Sequence, residues 1–395
     1  MDHKAYKLDL IYGKHLIFVF FLFITWLPFT SLAKMEYVNL ENPTGAQLKI
    51  SRLIMGTDHL GKIPHEQAVA VLNEAVAQGI NMFDTAPIYV NSIEDQLGQW
   101  LKAQNRDDLY VITKGGFPFD IGPGSYESRL KGNRDQIVSN VKEEIEGSSQ
   151  RLNGRISIYL MHRDDLDFSN YNKINRQFTP ARNILEALSH PDIKEKFMML
   201  GLSNWLPERI EEARHAALEN PQLVMPVVSS PYFSILEMSS VTIHSGGVQV
   251  YHREMMNPEF QKGIKMMTYS PLGGFSIFSK TWKEAKSHAL NLKNQGDRYW
   301  GHVYDSLFHD SNEARFRRVI EFTDGFNLAH KSNYTPDQVA NAYVLAHQRA
   351  DFLIIGPRTL DQLKRTVSAL ELSKLVTQDD LDFLYDNSKT PEFRK

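Results

Sequence analysis

Ile80-Asn-Met-Phe-Asp84, Ser92 to Ala103 and Leu109-Tyr-Val-Ile-Thr-Lys114 decide the fold. The first and third are short apolar runs ending in a charge. The middle segment places apolar residues at helical spacing. Strand, helix, strand within some thirty-five residues describes one parallel crossover unit, and the pattern repeats on both sides. Upstream, Leu53-Ile-Met-Gly-Thr57 reads as a strand. His65 to Gln78 reads as a helix, with Ala68, Val71, Leu72, Ala75 and Val76 on one face and Gly79 as its stop. Downstream come a helix at Arg134 to Arg151, the strand Ile156 to His162, a helix at Thr179 to Ser189, the strand Met198 to Ser203 and a helix at Pro207 to Leu218. Val224 to Ser230 and Ile264 to Tyr269 are the sixth and seventh strand candidates, separated by Gly246-Gly247 and a short helix near Pro258. Gly274 to Tyr334 then interrupts the repeat, with a helix at Asn312 to Phe322. A helix at Thr335 to Gln348, a strand at Asp351 to Ile355 and a helix at Leu360 to Leu372 complete it. Eight strand–helix pairs predict an α/β fold: one catalytic domain over residues 35–390, a closed (β/α)8 barrel with a long insertion after the seventh strand. A doubly wound sheet is the alternative, but no Gly-x-Gly-x-x-Gly follows a strand candidate.

The chain has 395 residues, 42% of them hydrophobic and 23% charged, which suits a large globular core. Forty-four basic against 47 acidic side chains leave no electrostatic footprint for nucleic acid. The absence of cysteine excludes disulfides, thiolate nucleophiles and Cys-based zinc sites. Residues 1–34 are set apart. Lys4, Lys7 and Lys14 precede the uncharged run Leu16 to Leu27, and Ser31-Leu32-Ala33 resembles a signal-peptidase site. A leader of this kind predicts export or membrane anchoring, with membrane contact through this segment alone. Translation from Met35 instead predicts a cytoplasmic barrel. Both readings stand.

Reactive groups in such barrels gather at the C-terminal ends of strands. Asp84, Lys114 and His162 each close a strand candidate, and Tyr89 lies five residues beyond Asp84. Each has a plainer reading: a turn cap, a solvated lysine, a core histidine, a packing tyrosine. Together they suit hydride transfer to a carbonyl, which needs a proton donor at the oxygen. A Lys ammonium lowers a neighbouring tyrosine's pKa, a carboxylate holds that Lys charged, and a histidine adds a hydrogen bond to the developing oxyanion. Reading these residues as a metal-dependent hydrolase has less support. His59, His162, Asp164 and Asp165 lack the usual ligand spacing, so no metal site is expected.

Phe83-Asp84-Thr85-Ala86-x-x-Tyr89, Ile112-Thr113-Lys114-Gly115 and Met161-His162-Arg163-Asp164-Asp165 resemble three catalytic segments of the aldo-keto reductases. The likeness continues through Leu200-Gly-Leu-Ser-Asn204, Thr268-Tyr-Ser-Pro-Leu272 and Ile354-Ile-Gly-Pro-Arg-Thr359, covering about residues 36–388. It implies a barrel that reduces aldehydes or ketones with NADPH, or less often NADH. Tyr89 would be the general acid, Lys114 and Asp84 its tuning pair, and His162 the carbonyl orienter. It further implies Ser203, Asn204 and Ser230 at the carboxamide, Tyr269 under the nicotinamide, Ser270 and Leu272 at the pyrophosphate, and Gly356, Arg358, Thr359 and Gln362 at the adenosine phosphate. Three positions depart from the family's pattern: Ser230 where Gln is usual, Val90 where Gly is common, and Arg365-Thr366 in place of Glu-Asn. Some proteins with this resemblance are nicotinamide-binding regulatory subunits with little turnover, which remains the alternative function. The insertion's aromatics (Phe278, Trp282, Tyr299, Trp300, Tyr304 and Phe308 among them) are expected to pack it onto the barrel, with a substrate lid as the other reading. Tyr251-His252 and His302 are expected in loops.

Overall fold

A computed structural model describes residues 34–122, 125–165, 178–240, 242–243, 246–274, 277–391 and 393. All of the leader but Lys34 (residues 1–33), and Phe275 of the insertion, lie outside the described residues. The chain opens with an antiparallel hairpin, β1 (Tyr37–Glu41) and β2 (Gln47–Ser51). Then follow β3 (Leu53–Gly56), α1 (His65–Ala77), β4 (Met82–Asp84), α2 (Ile93–Gln104) and β5 (Tyr110–Gly115). A second hairpin, β6 (Phe119–Gly122) and β7 (Ser125–Glu127), precedes α3 (Arg134–Arg151) and β8 (Ile158–Met161). Helices α4 (Ala181–Leu188) and α5 (Pro191–Lys194) lead to β9 (Met199–Ser203), α6 (Pro207–Glu219) and β10 (Pro226–Ser230). A short pair, β11 (Thr242–Ile243) and β12 (Gly247–Val248), comes before α7 (His252–Met256) and β13 (Lys265–Tyr269). Helices α8 (Trp282–Asn294), α9 (Arg298–Leu307), α10 (Asp310–His330) and α11 (Pro336–Ala346) precede β14 (Phe352–Ile355), α12 (Leu360–Leu375) and α13 (Gln378–Asp386).

Strands β3, β4, β5, β8, β9, β10, β13 and β14 are parallel and close in that order, so the expected (β/α)8 barrel is present. Side chains alternate along each strand. Leu53, Met55, Phe83, Val111, Tyr159, Met161, Leu200, Leu202 and Leu353 face outward against the helices. Ile54, Met82, Ile112, Ile158, Leu160, Met199, Val228, Met267, Phe352 and Ile354 fill the interior. Leu40, Leu48 and Ile50 of the first hairpin join that interior cluster, so β1 and β2 close the barrel floor. At Gly201 the strands crowd: a Cβ there would lie 2.3 Å from Leu160 Cδ2 and 3.0 Å from Val228 Cβ. Behind β5, Glu94 is buried and accepts from Thr113 Oγ1 at 2.5 Å and Arg151 Nε at 2.6 Å, tying α2 and α3 to the strand that carries Lys114.

The insertion differs from its sequence reading. Its described residues hold the α-helices α8, α9 and α10, and the helix expected at Asn312 to Phe322 extends over Asp310–His330. Thr281 and Glu284 form a capping box at α8, and Asp297 caps α9 through Trp300 N. Its aromatic residues pack on one another within the insertion: Phe278 stacks on Phe316 at 5.4 Å and Trp282 lies against Phe308 at 5.1 Å. The helix expected near Pro258 ends at Met256, because the proline forces Asn257 into an extended conformation. The loop expectation for His252 was wrong. It is fully buried at the start of α7, where it meets Tyr343, His347 and Asp382. His302 falls within α9.

Candidate active site

Strand parity builds the site. Asp84, Lys114, His162, Ser203, Ser230 and Tyr269 continue the inward-facing rows begun by Met82, Ile112, Ile158, Met199, Val228 and Met267. Each is the last inward position of its strand or the residue just beyond it. Six polar side chains of five chemical types therefore meet at one rim, above the apolar filling of the barrel.

Lys114 is at the centre. Its Nζ donates to Asp84 Oδ1 at 2.5 Å, to the Thr85 carbonyl at 2.9 Å and to Tyr89 Oη at 3.0 Å. An ammonium has three N–H donors, and all three are used. The Lys114 and Asp84 side chains are each 4% exposed, so neither charge stands without the other. Burial pushes the Asp84 carboxyl up and the Lys114 amine down from their ordinary values, and their mutual attraction opposes both shifts. Backbone bonds fix Asp84: its carbonyl accepts from Thr57 N at 2.9 Å and Thr57 Oγ1 at 3.0 Å.

Tyr89 corrects the sequence reading. Burial, followed by the Asp84 and Asp58 carboxylates, pushes its phenol well above the ordinary value of 10, so the expected net lowering by Lys114 is absent. Removing a phenolate from water costs more than the neighbouring ammonium returns. Tyr89 is therefore a phenol at neutral pH. Because Lys114 donates to its oxygen, the phenolic proton is directed elsewhere. His162 lies beside it, the two rings 6.2 Å apart at 80°. Burial, then the Arg163 and Lys114 charges, hold His162 well below its ordinary range, so it is neutral.

Asn204 takes a left-handed backbone (φ 61°) at the end of β9. Its Nδ2 donates to the His162 carbonyl at 3.2 Å and Ser203 Oγ at 2.9 Å. Its Oδ1 accepts from Val248 N at 3.0 Å and Tyr269 Oη at 2.6 Å. The amide is saturated by the protein. Ser203 Oγ donates to the Ser230 carbonyl at 3.1 Å, whereas the Ser230 hydroxyl is buried with no partner. Tyr269 is half-buried, and burial pushes its phenol up to about 12. Ser270 also has a left-handed backbone (φ 58°) and begins a turn closed by Gly273 N at 3.0 Å, with Leu272 packed against the core.

Gly356, Arg358, Thr359 and Gln362 lie after β14 and at the first turn of α12. Thr359 caps that helix through Gln362 N at 3.2 Å, and Gln362 Oε1 accepts from Arg358 N at 2.8 Å. Arg358 is exposed beside the helix's positive end. A Cβ at Gly356 would lie 2.8 Å from His59 Cδ2. Arg365, by contrast, is engaged by Asp361 and Asp337.

Sequence reasoning missed several neighbours. Phe117 packs on His162 at 5.2 Å, with the Arg163 guanidinium 5.3 Å from the Phe117 ring. Asp58 follows Ile54 and Gly56 on the inward row of β3 and pairs with Lys62 at 2.7 Å. Extending each strand's parity by two residues would have found Asp58. Phe117 follows two glycines, so parity gives no signal for it. Asp164 is held by Arg209 at 2.8 Å and 3.0 Å, and Asp165 accepts from Thr179 at 2.8 Å. Among the described residues no group of three or more His, Asp or Glu could hold a metal ion.

The chain resembles proteins of known kinds along most of its length. It is 27% identical to the uncharacterized oxidoreductase YrpG of Bacillus subtilis (strain 168), over 86% of this chain and 92% of that protein. It is 26% identical to a probable voltage-gated potassium channel subunit beta of Arabidopsis thaliana, over 88% and 95% respectively. An L-glyceraldehyde 3-phosphate reductase of Escherichia coli O157:H7 is 21% identical over 80% and 82%. A sequence model of the Aldo/keto reductase family matches residues 52–381. With that match on a closed eight-stranded barrel, the chain belongs to the aldo/keto reductase family.

Proposed function

We infer that the protein reduces an aldehyde or ketone with NADPH, and that Tyr89 delivers the proton. The observation that carries this reading is the threefold donation of Lys114 Nζ to Asp84, Thr85 and Tyr89, with His162 alongside. Tyr89 Oη keeps its proton until a carbonyl oxygen takes it. The phenolate left behind lies 3.0 Å from a buried ammonium that needs no rearrangement to stabilise it. Asp84 keeps Lys114 charged through the transfer. Neutral His162 offers a hydrogen bond to the same carbonyl oxygen, orienting the substrate without competing for the proton. Run in reverse, the phenolate is the base for alcohol oxidation.

Several features fit a nicotinamide dinucleotide. The unpartnered Ser230 hydroxyl can bond a carboxamide despite being shorter than the usual Gln. Ser203 would assist it, and Asn204 would do so by exchanging one of its four present bonds. The half-exposed Tyr269 ring offers a stacking face, the Ser270–Leu272 turn suits a pyrophosphate, and exposed Arg358 at the start of α12 favours an additional phosphate. When bound, this cofactor supplies the hydride.

A regulatory subunit with little turnover is the second reading, favoured by the likeness to the potassium channel subunit. NADPH and NADH consumption by the full chain, screened over aldehydes and ketones, separates the two. Turnover of a carbonyl supports the enzyme. Cofactor binding with no turnover of any carbonyl supports the regulator.

A further inference from the structure

The segment following Lys114 is held from outside the site by groups the chemistry above does not use. Gly116 has a left-handed backbone (φ 74°), and its N–H donates to Glu144 Oε2 of α3 at 2.7 Å. The next carbonyl, Phe117, accepts from Arg129 Nε at 2.8 Å. The same Nε lies 3.2 Å from Glu144 Oε1, and the Arg129 guanidinium sits 3.6 Å over the Phe119 ring. One carboxylate thus fixes both ends of a two-residue step, directly at Gly116 and through Arg129 at Phe117. The step ends in the Phe117 ring, which packs on the His162 imidazole at 5.2 Å. The His162 backbone bonds to the same segment, its N–H donating to the Gly115 carbonyl at 2.7 Å.

We propose that Glu144 is a positioning residue, acting through Gly116 and Arg129 to set Phe117 against His162 and so fix the imidazole that orients the carbonyl. This rests on the carbonyl-reductase reading for its consequence, though not for its geometry. The clamp depends on charge. Glu144 is largely buried, and the groups facing it are the Gly116 N–H, Arg129, Glu143 on its own helix and the Tyr159 hydroxyl of β8. Burial outweighs the Gly116 and Arg129 contributions and raises its carboxyl to about 7. Above that pH the carboxylate holds both partners. Below it the neutral acid keeps at most a weaker bond to Gly116 and releases Arg129.

The test uses the full chain with histidine rings selectively labelled for NMR, alongside kinetics. In the unmodified protein the His162 ring resonances should move with a midpoint near pH 7, although His162 itself stays neutral. Glu144→Gln should abolish that movement and hold the low-pH positions throughout. Arg129→Gln should reproduce it from the other side of the link, which guards against a folding defect peculiar to one variant. In kinetics, Glu144→Gln should lower kcat/KM about tenfold at pH 8, as expected for a misplaced orienting group, and leave NADPH affinity unchanged. Phe117→Leu should show a similar loss with little added by Glu144→Gln. Resonances of Glu144→Gln that superimpose on the unmodified protein at pH 8, with the titration retained, would overturn the proposal. If the unmodified protein reduces no carbonyl, the functional reading fails while the NMR result still decides the positioning role.

Discussion

Lys114 shows what a single residue type can and cannot reveal in sequence. Its position after an apolar run, thirty residues beyond Asp84, was enough to predict that the two meet. Its three simultaneous acceptors, one of them the Thr85 main chain, depend on the loop conformation. The direction of the Tyr89 shift was equally hidden, since it is governed by desolvation, a property of the assembled rim. The buried pair makes a sharp prediction. Lys114→Met leaves the Asp84 carboxylate in a site 4% exposed with no cation, at a cost of about 3–5 kcal/mol. Adding Asp84→Leu removes the stranded charge and should restore most of that stability in urea unfolding, with both variants inactive. If the double variant is no more stable than the single one, the pair is not the isolated charge unit described above.

At the scale of elements, the eight barrel strands were legible because each is a short apolar run bounded by polar loops. The elements missed are those whose signal is weak or split. Strands β1 and β2 alternate as Val38, Leu40 and Leu48, Ile50, half-patterns that gain meaning only as a plug in the barrel floor. Strands β6 and β7 are too short to show a period, and α8 is mostly polar, so its capping box was its one clear mark. Helix α7 hid a histidine that joins α11 and α13. His347 Nδ1 donates to the Tyr343 carbonyl at 2.7 Å, and its Nε2 lies 3.0 Å from His252 Nδ1. Burial, then the His252 charge, pushes His347 down to about 3. A base whose folded value is depressed contributes stability that is full above its unfolded value and lost as pH falls towards its folded one. Stability should therefore decline between about pH 6.5 and about pH 3, by up to about 1.4 kcal/mol per pH unit for this group. His347→Asn should flatten that slope between pH 7 and pH 5 in urea unfolding, even though it lowers stability at pH 7. An unchanged slope would show that the proton uptake lies elsewhere.

For the whole molecule, a barrel closed below by a hairpin and polar above has one end at which chemistry can occur. The insertion after the seventh strand is built on its own aromatic packing, and α10 and α13 lie against each other. Among the described residues no helix is long and apolar enough to cross a membrane. The family was legible from short motifs because each marks the end of a strand, where the barrel converts sequence order into a ring. The substrate was not legible, because the residues near the mouth, Asp58 and Phe117 among them, come from loops with no period to read. The central claim is that Tyr89 supplies the proton to a reduced carbonyl. Its most direct test is single-turnover NADPH oxidation by Tyr89→Phe beside the unmodified protein, with an aldehyde that the latter reduces and with NADPH binding measured in parallel. The predicted result is unchanged NADPH affinity with hydride transfer slowed by about a hundredfold or more. Transfer at the unmodified rate by Tyr89→Phe would contradict the account.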